Sequence, residues 1–206
     1  MIPLLIIAAY LLGSIPTAVW IGKAFFSIDV REFGSGNAGA TNTFRVLGKS
    51  AGIPVLIIDI LKGTAAVSLS YLSGFEVNST AFINVQLVLG VAALLGHIFP
   101  IFAGFRGGKG VATILGIVIC ILPAASALSL VVFLVVLFST RIVSLSSMLA
   151  GVAFPFILHL LLNNTNQVLT IFSIVVAVLL LITHRKNIGR LLRREESRVR
   201  LFTSQK

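Results

Sequence analysis

Seven apolar segments separated by short polar connections dominate this sequence, over residues 2–22, 53–73, 82–103, 111–122, 123–140, 142–162 and 168–183. A helix needs about 20 apolar residues to cross a hydrocarbon core of about 30 Å. Inside that core every backbone N–H and C=O must be paired within the segment. A succession of such segments therefore predicts an all-α, polytopic helical membrane protein, with residues 1–206 as a single integral membrane domain. The composition agrees: 57% of residues are apolar, 11% are charged and the mean hydropathy is +1.08. An ordinary soluble domain is about 25% charged. A soluble enzyme, an isolated DNA-binding domain and a disordered chain are excluded. The first segment lacks a basic leader and a small-residue cleavage site, so it reads as a span rather than a signal peptide.

Residues 111–140 need a decision. As one helix they would run about 45 Å at 1.5 Å per residue. Pro123 in the middle would break or kink that helix. Charge supplies the second argument. With seven spans and the N-terminus outside, every Lys and Arg except Lys62 falls on the inner side, and the outer loops carry only Glu76. Merging 111–140 into one crossing puts Arg141 and the tail outside, against the positive-inside rule. The expectation is seven spans, N-terminus out, with a basic cytoplasmic tail over 184–206. The formal net charge of +10 thus serves orientation and lipid headgroups, not nucleic acid. The single cysteine, Cys120, excludes a Cys-based metal cluster.

The polar residues gather on the inner face. One loop carries Gly34-Ser-Gly-Asn-Ala-Gly-Ala-Thr-Asn42 and Arg45; a second carries Arg106-Gly-Gly-Lys-Gly110; the last span ends in His184-Arg-Lys-Asn187 and Arg190. All three combine glycine-freed backbone N–H groups, neutral amides or hydroxyls, and fixed cations, which is chemistry suited to phosphate. Gly34, Gly36 and Gly39 match the dinucleotide fingerprint letter for letter. That fingerprint needs a strand in a βαβ unit, which this loop cannot hold. Gly107–Gly110 resembles the end of a Walker A motif, yet Ala103 replaces its first glycine and Gly110 its metal-binding hydroxyl. What survives is a glycine nest leading into helix 111–122, whose N-terminal dipole faces an anion beside Lys109.

Asp59 and Lys62 are three residues apart within the second span and so share a helix face. With His97 at a similar depth they predict a buried polar floor under the two loops, in a supporting role. His159, near the outer end of its span, reads as structural. Ser68, Ser70, Ser126 and Ser129 read as helix-packing residues. The scattered carboxylates offer no metal site; Asp29 and Glu32 alone make a poor hard-cation cage.

These residues resemble the bacterial acyl-phosphate:glycerol-3-phosphate acyltransferases, which are small seven-span inner-membrane enzymes. The resemblance rests on the Gly34–Asn42 motif with Arg45, on Gly96-His-Ile-Phe-Pro100 leading to Phe105-Arg-Gly-Gly-Lys-Gly-Val-Ala-Thr113, and on His184-Arg-Lys-Asn187 with Arg190-Leu191. Asp59-x-x-Lys62-Gly63 and Val143-Ser144-Leu145 also fit. One departure stands in the tail, where Arg194 replaces a glycine that the family tends to have before Glu196. The resemblance implies acyl transfer from acyl phosphate to the 1-hydroxyl of sn-glycerol 3-phosphate at the cytoplasmic face of the inner membrane. The products are lysophosphatidate and phosphate. No cofactor is implied, and the enzyme forming the acyl phosphate is a candidate partner.

On this reading Ser35, Lys109, His184 and Asn187 are catalytic. Gly36, Asn37, Thr41, Asn42, Arg45, Gly107, Gly108, Gly110 and Ser144 bind substrate or phosphate, while Asp59, Lys62 and His97 support them. An activated donor needs no covalent relay, only two anions held together and a stabilised oxyanion. No His-x-x-x-x-Asp occurs, so the base of the CoA- and carrier-protein-dependent enzymes is missing. The substrate's own phosphate or His184 takes that role. The competing classes are a transporter of a phosphorylated solute and a non-catalytic lipid-binding scaffold. A transporter predicts midplane sites and repeated halves, which the sequence lacks; a scaffold leaves Gly34–Arg45 and Gly107–Gly110 unexplained.

Overall fold

Helix starts and stops are written locally. Ser79 accepts a hydrogen bond from Phe82 N at 3.1 Å, and Asn166 accepts from Val168 N at 2.9 Å, each capping the helix that follows. The computed structural model describes residues 1–199 and is helical, without strands among them. Residues 200–206 of the expected basic tail lie outside the described residues. The helices are α1 (Ile2–Gly13), α2 (Thr17–Phe26), α3 (Ala40–Leu47), α4 (Lys49–Ser68), α5 (Thr80–Ile98), α6 (Val111–Ile121), α7 (Pro123–Thr140), α8 (Val143–Phe156), α9 (Gln167–Thr183) and α10 (Arg185–Leu192).

Several expected spans differ in detail. The first is two helices, α1 and α2, bent by 41°, because Pro16 has no N–H to continue the helix. The second and third gain short 3-10 extensions, giving apolar rods Lys49–Leu72 and Thr80–Ala103. The sixth passes from α8 into a π-helical turn, Ile157–Leu161, two residues after Pro155. Among the described residues four helical rods are individually long and apolar enough to cross a membrane, and up to six crossings result if each bent pair counts as one. The eleven-residue α6 is about 17 Å long, well short of a bilayer core. Two helices lie where the sequence reading placed only loop and tail. Both α3 and α10 are eight residues long and amphipathic, with no long apolar run to announce them.

The described residues form two compact units, one running from Met1 to Pro123 and the other starting at Ala124. In the first, α1, α4 and α5 share a core of Leu5, Ala9, Ala66, Val85, Leu89, Ala92 and Ala93. Helix α6 lies directly against α4. A methyl group at Gly116 would collide with the Ile60 carbonyl, and one at Gly63 with the Thr113 carbonyl. Small residues let the two backbones touch, the usual basis of helix packing in lipid. In the second unit α8 packs on α9, with Gly151 fitted against Leu180; α10 turns away from α9 by 60°.

Candidate active site

The first loop is built around two residues. Asp29 caps a 3-10 turn, Val30–Glu32, by accepting from Arg31 N at 3.0 Å. It also accepts from the Arg31 guanidinium twice, Nε to Oδ1 at 2.9 Å and Nη2 to Oδ2 at 2.7 Å. The Arg31 side chain holds the Asp29 carboxyl far below its ordinary range, against the opposing effect of burial. The remaining guanidinium nitrogen, Nη1, donates to the carbonyls of Ala103 at 2.7 Å and Arg106 at 3.4 Å. The second builder is Asn42, on α3 and 2% exposed. Its carbonyl accepts from Ser35 N and Oγ at 2.8 and 3.0 Å, and its amide donates to the Val30 and Phe33 carbonyls at 2.8 and 3.1 Å. Those four bonds use the full capacity of the amide. Asn42, expected among the substrate-binding residues, staples the loop. Ser35, Gly36, Thr41 and Arg45 are exposed and Asn37 is half-buried. Thr41 and Arg45 sit one turn apart on the outer face of α3.

The second loop leaves α5 at Ile98, passes Pro100 and a short turn, and reverses through Gly104 and Phe105, at φ +62° and +58°. The returning segment runs against the last turn of α5. Gly107 N–H donates to the Ile98 carbonyl at 3.2 Å and Gly108 N–H to the His97 carbonyl at 3.1 Å. These two amides close the turn, because the last carbonyls of a buried helix need donors. Both glycines are required by proximity. A methyl group at Gly107 would meet the His97 carbonyl, and one at Gly108 the His97 imidazole. What the loop leaves for an anion is the start of α6, where Gly110 (φ +85°) is the N-cap. The first-turn N–H groups there have no intrahelical acceptor, and half-buried Lys109 immediately precedes them.

Under this loop lies the expected polar floor. Lys62 Nζ is 2.8 Å from Asp59 Oδ1, and His97 Nδ1 is 3.8 Å from the same oxygen. Thr17 Oγ1 donates to Asp59 Oδ1 at 3.1 Å, and Lys62 donates to the Ile15 carbonyl at 3.0 Å. The ion pair thereby also satisfies the backbone at the α1–α2 break. All three floor residues are buried.

In the second unit, His184 ends α9 and begins α10. Its Nδ1 lies 2.8 Å from the Leu180 carbonyl. A carbonyl only accepts, so Nδ1 carries the proton and the lone pair of the neutral ring is on Nε2. Ser144 Oγ and Asn187 Nδ2 converge on Glu196 Oε1 at 2.8 and 2.6 Å, and Arg190 Nε donates to Glu196 Oε2 at 2.6 Å. Burial pushes the Glu196 carboxyl up, but the bonds from Arg190, Asn187 and Ser144 outweigh it and bring the group below its ordinary value. Sequence reading gave Glu196 no role. The available signal was its rarity: Glu195 and Glu196 are the only acidic residues after Glu76. The tail reaches it through Arg194 at φ +59°. Arg194 thus adopts the left-handed turn that glycine favours. Beside the cluster is an open apolar groove of about 370 Å³, lined along α8, α9 and α10 by residues including Leu145, Met148, Leu181 and Ile188.

A family model described as Glycerol-3-phosphate acyltransferase matches residues 3–194. A glycerol-3-phosphate acyltransferase of Enterococcus faecalis is 48% identical over 206 residues, covering 96% of this chain and 92% of its own length. One from Bacillus cytotoxicus is 45% identical over 203 residues, covering 98% of each. Two crystal structures of PlsY (YgiH), an integral membrane glycerol 3-phosphate acyltransferase, superpose on nearly the whole chain. The glycerol 3-phosphate form has a TM-score of 0.86 at 38% identity, covering 97% of this chain and 96% of that one. The lysophosphatidic acid form has a TM-score of 0.82 at 37% identity, covering 97% and 95%.

Proposed function

This chain belongs to the glycerol-3-phosphate acyltransferase family, and on that premise we propose that it transfers a fatty acyl group from acyl phosphate to the 1-hydroxyl of sn-glycerol 3-phosphate. The hydroxyl oxygen bonds to the acyl carbon, the bond from that carbon to the phosphate oxygen breaks, and inorganic phosphate leaves. Lysophosphatidate is the product. The observation that carries the reading is the kind of site present. Lys109 and the N-terminus of α6 suit a leaving phosphate; Ser35 and Arg45, on the loop stapled by Asn42, suit a second phosphorylated substrate. A donor activated as a mixed anhydride with phosphate needs charge stabilisation rather than a covalent relay.

In the second unit, Ser144 and Asn187 orient glycerol phosphate, with Glu196 fixing their side chains. The base for the hydroxyl proton is the acceptor's own phosphate or His184, whose neutral ring carries its lone pair on Nε2. The apolar groove over Leu145 and Ile188 takes the acyl chain. The four long rods, the bent α1–α2 pair, α9 and the short α6 are counted as seven crossings, N-terminus out and C-terminus in, with α10 and the catalytic loops on the cytoplasmic side of the inner membrane. The side distribution of Lys and Arg supports this orientation. The enzyme that forms acyl phosphate supplies the donor. The test is product identity: palmitoyl phosphate and glycerol 3-phosphate given to the purified protein in vesicles yield lysophosphatidate by mass spectrometry. Glycerol 3-phosphate crossing the vesicle unacylated would replace this reading with transport.

A further inference from the structure

The proposed reaction brings two anions together on two different loops, and one side chain joins those loops. Arg31 lies four residues before Ser35 in the first loop, and it grips the second loop at the turn ending three residues before Lys109. Nη1 meets the carbonyls of Ala103 and Arg106, which flank the left-handed pair Gly104 and Phe105. The Arg31 side chain is 14% exposed, and its guanidinium cannot swing freely, because Nε and Nη2 are locked in a fork on Asp29. Asp29 is itself tied to the chain by the Arg31 backbone N–H, and its carboxylate stands 3.5 Å from Lys23.

From this geometry we infer that Arg31, oriented by Asp29, is a positioning residue that sets the separation between the acceptor-holding and donor-holding loops. The inference rests on the assignment of the two substrates to those loops. Each loop has its own internal support: Asn42 for the first, and the His97 and Ile98 carbonyls for the second. Loosening Arg31 therefore leaves each loop able to bind its own substrate and removes only their alignment. A misplacement of about 1 Å costs on the order of a hundredfold in rate, so the loss falls on kcat and not on KM. Lysine keeps the charge but cannot form the fork and reach the second loop at once.

The experiment compares full-length wild type, Arg31→Lys and Asp29→Asn. It measures initial rates with palmitoyl phosphate and glycerol 3-phosphate, calorimetric titration with glycerol 3-phosphate alone, and thermal melting. Arg31→Lys is expected to lower kcat about 30-fold and Asp29→Asn about 10-fold. Both KM values should stay within about threefold, and the stoichiometry of glycerol 3-phosphate binding should be unchanged. Wild-type kcat in both variants overturns the inference, and so does a loss carried by KM or by binding. If Arg31→Lys does not fold, Asp29→Asn alone decides; if neither folds, the pair is a folding element and the inference fails. Transfer by the wild type is the control for the reaction itself, and its absence overturns both readings.

Discussion

Replacing Gly108 by alanine tests how the second loop works. The added methyl group lands within contact distance of the His97 imidazole. That ring is 6% exposed and shares the buried floor with Asp59 and Lys62, so it has nowhere to go. The loop must lift by on the order of 1 Å to restore a carbon–nitrogen separation of about 3.5 Å. Lifting stretches the Gly108 N–His97 O bond from 3.1 Å. Overpacking of this kind costs about 1–3 kcal/mol, and a weakened buried hydrogen bond about 1 kcal/mol. Lys109 moves with the loop, and a displacement of that size lowers turnover by about a hundredfold. Gly104→Ala is the matched control. A methyl group there meets nothing within 4 Å, and only the left-handed φ of +62° opposes it, at about 1–2 kcal/mol. It should lower the melting temperature and keep the rate within a few fold. Phosphate release from palmitoyl phosphate in the presence of glycerol 3-phosphate reads both variants. Wild-type turnover by Gly108→Ala, or equal inactivation by Gly104→Ala, refutes the reasoning.

Lys109→Ala is expected to abolish turnover while the protein inserts and purifies normally; near-normal activity removes the phosphate assignment. Glu196→Gln removes the negative charge and one of the two oxygens on which Ser144, Asn187 and Arg190 converge, and should cost at least tenfold in activity (about 1.5–3 kcal/mol of charged hydrogen bonding), measured in the same assay. The carboxyls of Asp29 and Glu196 both lie lower in the folded protein than is usual for their type. Their stabilising contribution is therefore complete above the ordinary carboxyl range and is lost as pH falls through the folded values. The melting temperature should stay flat from neutral pH down to about 5 and drop below about 4, and Glu196→Gln should flatten part of that drop. A reporter fused at the C-terminus should read cytoplasmic; a periplasmic signal contradicts the seven-crossing orientation.

The long spans were legible in the sequence because a bilayer demands an uninterrupted apolar run, and α4, α5, α7 and α8 carry one. The pairing of Asp59 with Lys62 was legible for a similar reason: two charges three residues apart in such a run have few other partners. The short amphipathic helices α3 and α10 were not, since a polar eight-residue segment reads equally well as loop. The part that Asn42 and the N–H groups of Gly107 and Gly108 play in holding the loops in shape was not legible either. Composition alone cannot separate an amide that binds a ligand from one that staples a turn; the distinction depends on which carbonyls come within reach. Glu196 escaped notice because its three donors come from 6, 9 and 52 residues away.

The central claim is the identity of the acyl donor. The most direct measurement gives the purified protein, in detergent or lipid, glycerol 3-phosphate with either palmitoyl phosphate or palmitoyl-CoA, and follows phosphate release and lipid product. The account predicts phosphate release that requires both substrates, with lysophosphatidate formed only from the phosphate donor. Product from palmitoyl-CoA with silence from palmitoyl phosphate would contradict it.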